Sequence, residues 1–181
     1  MNLEALSKEI SYALRHNPKQ YGLSLDEQGW VSVNALISAL KRLGRFKSLS
    51  VSDIEKMIQV SEKRRHELHN GKIRALYGHS TEEKIKKEPL QPPGILYHGT
   101  ANKYVDSILV QGLISKNRQY VHLSGDVNTA IIVGKRKDDH PVILVIHAKK
   151  AWDDGVSFYL GNDNIWLADG VPPKYIGFLQ E

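Results

Sequence analysis

An α+β fold in two lobes is what this 181-residue sequence predicts, and three observations carry the prediction. Before residue 80, apolar side chains recur at helical spacing in three separate stretches, and an Asn-Gly turn follows them. After residue 94 the pattern changes to short apolar runs of strand length, punctuated by glycines and by Pro172-Pro173. Between the two, residues 81–94 are charged and then proline-rich, and they read as a linker. The expected lobes are residues 1–90 and 91–181.

The first stretch places Leu3, Leu6, Ile10, Ala13 and Leu14 on one helical stripe. Arg15 should project almost opposite that stripe with His16 on its flank, and Asn17-Pro18 should end the helix. Trp30-Val31 reads as a short extended piece. Ser32 can cap a second helix carrying Val33, Leu36, Ile37, Leu40 and Leu43. Ser52-Asp-Ile-Glu55 has capping-box spacing for a third helix, with Ile54, Met57 and Ile58 inward and Lys63-Arg64-Arg65 at its end. Residues 66–69, Asn70-Gly71 and residues 72–76 form a two-residue hairpin signal, because Asn-Gly tolerates the positive φ angles of that turn. Three helices and a hairpin suggest a winged helix. In the second half, strands are expected at 95–98, 120–123, 142–147, 165–167 and 175–179, with helices at 101–109 and 126–133. Together these predict a mixed α/β lobe around a small sheet.

Composition narrows the partners. The chain is 41% hydrophobic and 25% charged with a mean hydropathy of −0.38. No apolar run approaches the roughly 20 residues a membrane-spanning helix needs. The opening Met1-Asn2-Leu3-Glu4 lacks the basic and apolar regions of a signal peptide, so a cytoplasmic location and no membrane partner are expected. With no cysteine there are neither disulfides nor thiolate metal ligands. The histidines show no helical pairing with supporting carboxylates, and no metal is expected. Residues 1–90 carry 16 Lys/Arg against 11 Asp/Glu, whereas residues 91–181 carry 9 against 9. The net charge of +5 therefore sits in the first half, which suits a polyanion such as nucleic acid and equally serves solubility.

Several short motifs could carry chemistry. Arg15-His16 could grip a phosphate with a planar guanidinium fork and an imidazole; the same pair also suits a solvated helix end, where the dipole favours cations. Lys63-Arg64-Arg65 is a second basic cluster or a solvated run. Gly78-His79-Ser80 follows the hairpin, where a glycine lets backbone N–H groups approach an anion. His98-Gly99-Thr100 lies between a strand and a helix. There Gly99 would let a ligand press on the backbone while His98 and Thr100 donate hydrogen bonds, although a strand-end turn explains the tripeptide too. Alternation sends His122 and Ser124 to one face beside the basic loop 115–118. These last two motifs suit a dinucleotide-splitting site, yet no glutamate occurs between Glu88 and Glu181. Enzymes that move ADP-ribose to a neutral acceptor often use a carboxylate to steady the oxocarbenium-like centre and activate the acceptor. An acceptor that is already anionic, such as a phosphate, removes that need.

In sequence order, Leu14-Arg15-His16, Gly22-Leu23 to Leu25-Asp26, Gly29-Trp30, Lys63-Arg64-Arg65, Ile73-Arg74-Ala75 and Gly78-His79-Ser80 cover the first half. Tyr97-His98-Gly99-Thr100, Gly112-Leu113, Arg118, Val121-His122-Leu123-Ser124, Val133-Gly134, Asn164-Ile165-Trp166-Leu167 and Val171-Pro172-Pro173 continue through the second. This ordered set resembles the RNA 2′-phosphotransferase family (KptA/Tpt1) across nearly the whole chain. The resemblance implies a winged-helix lobe that binds RNA, joined to an ADP-ribosyltransferase-like lobe with a small mixed or antiparallel sheet. It implies NAD⁺ as co-substrate, and an RNA with an internal 2′-phosphate of the tRNA-splicing type as substrate. The products implied are 2′-OH RNA, nicotinamide and ADP-ribose 1″,2″-cyclic phosphate.

The family's catalytic Arg-His-Arg-Arg set maps onto Arg15, His16, Arg65 and Arg118, and its NAD⁺ contacts onto His98, Gly99, Thr100, His122 and Ser124. Arg65 is chosen over Arg64 because the motif's critical arginine precedes an aromatic position. That position is His66 here, where phenylalanine is usual, and Tyr77 stands where glutamine commonly precedes Gly-His-Ser. A monomer is the expected state. Rival readings are a winged-helix nucleic-acid regulator without catalysis, a protein ADP-ribosyltransferase, which should carry the missing glutamate, and ADP-ribosylation of terminal nucleic-acid phosphates.

Overall fold

A computed structural model describes residues 1–179 and divides the chain into two compact units, Met1–Lys87 and Glu88–Glu181. The fold is α+β with antiparallel sheets.

In the first unit, helix α1 (Leu3–Arg15) starts at Asn2, whose side chain accepts the Ala5 N–H at 3.0 Å, and ends at His16. Strand β1 (Val31–Ser32) leads into α2 (Val33–Arg42), capped by Ser32 as the sequence indicates. Helix α3 (Val51–Val60) is capped by Ser50, two residues before the expected cap. Ser50 accepts the Asp53 N–H while the Asp53 carboxylate accepts the Ser50 N–H, which closes the capping box there and puts Ser52 inside the first turn. The helix stops at Val60, so Lys63-Arg64-Arg65 lie in the connection that follows rather than at its end. Strands β2 (His66–His69) and β3 (Lys72–Ala75) form the hairpin, with Asn70 at φ 47° and Gly71 at φ 69° making the turn. Strand β1 pairs with β3 to give a three-stranded sheet in the order β1-β3-β2. Leu6, Ile10 and Leu14 of α1, Leu36 and Leu40 of α2, Ile54 and Met57 of α3 and Ile73 of β3 form the core, all fully buried. The stripe on α1 is thus what anchors the helix, and its polar face stays available.

The segment expected to be a linker is held at both ends. Lys86 donates its backbone N–H to the Glu27 carbonyl at 2.7 Å, and the buried Ile85 lies against Gly29. Further on, the Leu90 N–H reaches the Phe158 carbonyl at 2.8 Å. One apolar residue among charges is enough to dock a stretch whose composition reads as solvated.

The second unit contains β4 (Leu96–Thr100), α4 (Val105–Gln111), β5 (Leu113–Ile114), β6 (Val121–Ser124), α5 (Val127–Gly134) and β7 (Val142–Ile146). It continues with α6 (Ala148–Asp153), β8 (Phe158–Asn162), β9 (Ile165–Ala168), β10 (Gly170–Val171) and β11 (Ile176–Phe178). Six strands form an antiparallel sheet in the order β11-β7-β4-β6-β9-β8, and β10 pairs with β5. Leu96, Leu123, Leu144, Ile146, Phe158 and Trp166 are in its core.

Helix α5 closes directly onto β4 through two glycines. A Cβ built on Gly99 would lie 2.1 Å from the Ala130 carbonyl oxygen and 3.0 Å from the Gly134 nitrogen. The space that the missing Gly99 side chain leaves is filled by α5, which gives this glycine a packing role beside the ligand contact expected from the sequence. Gly99→Ala should displace α5 and cost about 1–3 kcal/mol, in the range of overpacked sites. Equilibrium unfolding followed by tryptophan fluorescence checks this. An unchanged midpoint accompanied by lost ligand binding would leave Gly99 with the ligand-contact role alone.

Candidate active site

The first unit brings together three stretches far apart in sequence. Arg15 supplies the last residue of α1, and its carbonyl accepts the Ser80 N–H at 2.9 Å. The His16 ring follows at once, with Nδ1 2.8 Å from Ser80 Oγ. The Arg65 carbonyl accepts the Leu76 N–H at 2.9 Å and the Arg15 guanidinium at 3.4 Å. That guanidinium also lies over the Tyr77 ring, 4.8 Å from its centroid, and its side chain packs beside Gly78. Gly78-His79-Ser80 is thus fastened to the end of α1.

Arg15, His16 and Arg65 line a groove of about 740 Å³ that runs along the polar face of α1 and against the connection between α3 and β2. Arg64 does not line it. Its guanidinium is 3.8 Å from Glu67, which also binds Arg74 at 2.7 Å, so an acidic neighbour draws Arg64 aside while Arg65 faces the groove. The structure thereby separates two adjacent arginines that sequence spacing leaves nearly equivalent.

His66 is buried beneath this groove, with Nε2 3.0 Å from Ser11 Oγ. Burial pushes its imidazole down to about 3, and the Arg15 and Arg65 guanidiniums add to the shift. Kept neutral, the ring adds no further positive charge to the neighbourhood of Arg15 and Arg65.

In the second unit the expected contacts divide between two faces of the sheet. Leu96 enters the core and Gly99 faces α5, so alternation puts His98 and Thr100 on the core side of β4. On β6, Val121 and Leu123 enter the core, so His122 and Ser124 take the opposite side. Thr100 and Ser124 are buried. The ladder between β4 and β6 consists of the single pair Tyr97–Ser124, whereas β4 and β7 stay in register over five pairs. Past that pair, His98 Nδ1 donates to the His122 main-chain carbonyl at 3.0 Å. His122 Nδ1 donates in turn to the Tyr120 carbonyl at 3.0 Å. Burial lowers the His98 pKa and keeps the ring neutral, so with Nδ1 donating, Nε2 is left as an acceptor. Arg118 sits on the exposed loop between β5 and β6.

The sequence reading missed Ser11 and Tyr12, which line the groove one helical turn back from Arg15 and His16. Their i, i+4 relation to those residues was the available signal. Among the described residues, no group of three or more His, Cys, Asp or Glu is placed to hold a metal ion, and no helix is long and apolar enough to cross a membrane.

Fold and site together define a two-unit α+β protein with a cation-lined groove in its first unit. The model of the RNA 2′-phosphotransferase, Tpt1 / KptA family matches residues 2–170, and the chain belongs to that family. It is 56% identical to a protein of Acetivibrio thermocellus over 96% of this chain and 95% of the relative. It is 54% identical to one of Bacillus thuringiensis subsp. konkukian over 94% and 92%, and 40% identical to one of Flavobacterium johnsoniae over 97% and 96%. Each of the three is named "Probable RNA 2′-phosphotransferase".

The buried His66 sets a pH dependence. Below pH 6.5 the unfolded imidazole takes up a proton that the folded one refuses until about pH 3. Stability from neutral His66 is therefore complete above pH 6.5 and drains at about 1.4 kcal/mol per pH unit on acidification. His66→Phe should flatten that part of the slope in denaturant titrations between pH 7 and 4.5. Parallel curves for the two proteins would contradict this.

Proposed function

We propose that the protein is an NAD⁺-dependent RNA 2′-phosphotransferase that removes an internal 2′-phosphate from RNA. The products would be 2′-OH RNA, nicotinamide and ADP-ribose 1″,2″-cyclic phosphate. The observation that carries this reading is that Arg15, His16 and Arg65, from stretches far apart in sequence, line one groove in a chain of this family. The names of the relatives support the substrate class. The unit of three helices with the sheet β1-β3-β2 is read as the winged-helix, RNA-binding lobe, and the six-stranded unit as the ADP-ribosyltransferase-like lobe.

In this reading Arg15 and Arg65 bind the 2′-phosphate with charge-assisted hydrogen bonds, and Arg118 supplies the third guanidinium. Where Ser80 donates to His16 Nδ1, Nε2 carries the N–H and donates to the phosphate. A phosphate oxygen attacks C1″ of the nicotinamide ribose, and the bond from C1″ to the nicotinamide nitrogen breaks. The oxygen is already anionic, so no general base is required, in keeping with the absence of glutamate from residues 89–180. The ribose 2″-OH then attacks phosphorus. The bond from phosphorus to the RNA 2′-oxygen breaks, and the 2″ proton passes to the departing oxygen with His16 as the nearby carrier.

His98 Nε2, as a neutral acceptor, suits a hydroxyl or amide N–H of NAD⁺ rather than its phosphates, and its fixed tautomer fits that role. Thr100, His122 and Ser124 are the accompanying contacts, with Gly99 contributing by admitting α5.

The test is incubation with a 2′-phosphorylated oligonucleotide, with and without NAD⁺, and identification of products by mass. Alanine at Arg15, Arg65 or Arg118 should each cut turnover on the order of a hundredfold, the effect of losing about 3 kcal/mol of charge stabilisation in a shielded site. Far-UV circular dichroism should stay unchanged. Dephosphorylation without NAD⁺, or near-normal rates in these variants, would contradict the assignment.

A further inference from the structure

The groove is much longer than a phosphate requires. From Arg15 and His16 it follows α1 back through Ser11, Tyr12 and Ser7 to Leu3, a helix length of roughly 20 Å at 1.5 Å per residue. Its character changes along that length. Arg15 and His16 stand at the C-terminal end of α1, and Arg65, Lys63 and Glu62 line the groove from the connection after α3. Further back, Lys8 is bound by Glu4 at 2.6 Å, and Ser61 turns its hydroxyl onto the Met57 carbonyl at 2.6 Å. What remains on the helix side is neutral: the hydroxyls of Ser7 and Ser11, and the ring of Tyr12.

Tyr12 is 43% exposed, with its centroid 6.1 Å from that of His16 and 6.3 Å from that of Tyr21, whose ring is inclined to it at 68°. An exposed aromatic one helical turn from an anion site is a stacking face, since every nucleobase offers a π-surface to it. Ser11 is oriented by the buried His66 at 3.0 Å and offers a neutral donor and acceptor beside that ring.

We infer that the α1 groove is a nucleoside subsite, in which the base of the phosphate-bearing RNA nucleotide stacks on Tyr12 while its 2′-phosphate lies at Arg15, His16 and Arg65. This rests on the proposed function for the identity of the substrate. Stacking is tolerant of sequence, so the subsite favours the presence of a base over any particular base. Tyr12 touches the substrate but takes no part in bond making.

The test uses the full-length protein and fluorescence anisotropy without NAD⁺. The probes are two 2′-phosphorylated oligoribonucleotides that differ only in having a base or an abasic site at the phosphorylated position. Tyr12→Ala should weaken binding of the base-bearing probe about tenfold, within the range measured for base–aromatic stacking. Tyr12→Phe should restore it, and the abasic probe should bind wild type and Tyr12→Ala alike. Equal loss on both probes, or no loss on either, would overturn the subsite. Product analysis with NAD⁺ on the same probes reports separately on the proposed reaction: wild-type protein that binds in this pattern yet yields no product would reject the reaction and leave the subsite standing.

Discussion

The backbone bond from Ser80 N–H to the Arg15 carbonyl is the constraint on which the first unit's chemistry depends. A helix end has carbonyls without intrahelical partners, and here one of them is satisfied by a segment from beyond the hairpin. That bond brings Gly78 against the Arg15 side chain and Ser80 against His16. A second fastening, the Arg65 carbonyl shared between Leu76 and Arg15, fixes the other wall. Guanidiniums repel one another, so holding Arg15 and Arg65 on one groove needs a framework, and the apolar stripe Leu6, Ile10 and Leu14 anchors α1 for it. Substitution in that stripe would loosen the site without touching a charged group.

The two units divide the electrostatic work. The first holds cations along a groove and keeps His66 neutral by burying it. The second keeps His98 neutral and fixes its tautomer through the His122 carbonyl. Cations recognise an anion; a neutral imidazole with a free acceptor nitrogen recognises a hydroxyl or an amide hydrogen. The proposed reaction, between a phosphate and a sugar- and amide-bearing dinucleotide, calls on both kinds of group.

Much of this was legible in the chain. The α1 stripe, the Ser32 cap and the Asn70-Gly71 turn are local signals whose physics is complete within a few residues. The cap of α3 was misplaced because Ser50 and Ser52 both offer a hydroxyl, and Asp53 at the third position decides for Ser50. Strand β8 escaped notice because its burial does not alternate: Phe158 is buried while Leu160 is exposed. The packing role of Gly99 could not be read locally because the atom that excludes a side chain there, the Ala130 carbonyl, lies 31 residues away. The site residues were legible as types, but their convergence was not. Nothing local says that Arg65 turns to the groove and Arg64 to Glu67, or that the groove continues past the cations to Tyr12.

The claim at the centre of this account is that Arg15, His16 and Arg65 form a receptor for a 2′-phosphate before any chemistry occurs. It is measured most directly by the affinity of the full chain, without NAD⁺, for one oligoribonucleotide with and without that phosphate. The account predicts at least tenfold tighter binding of the phosphorylated strand, with the difference lost when Arg15 or Arg65 is replaced by alanine. Equal affinity for the two strands, or a preference that survives both substitutions, would contradict it.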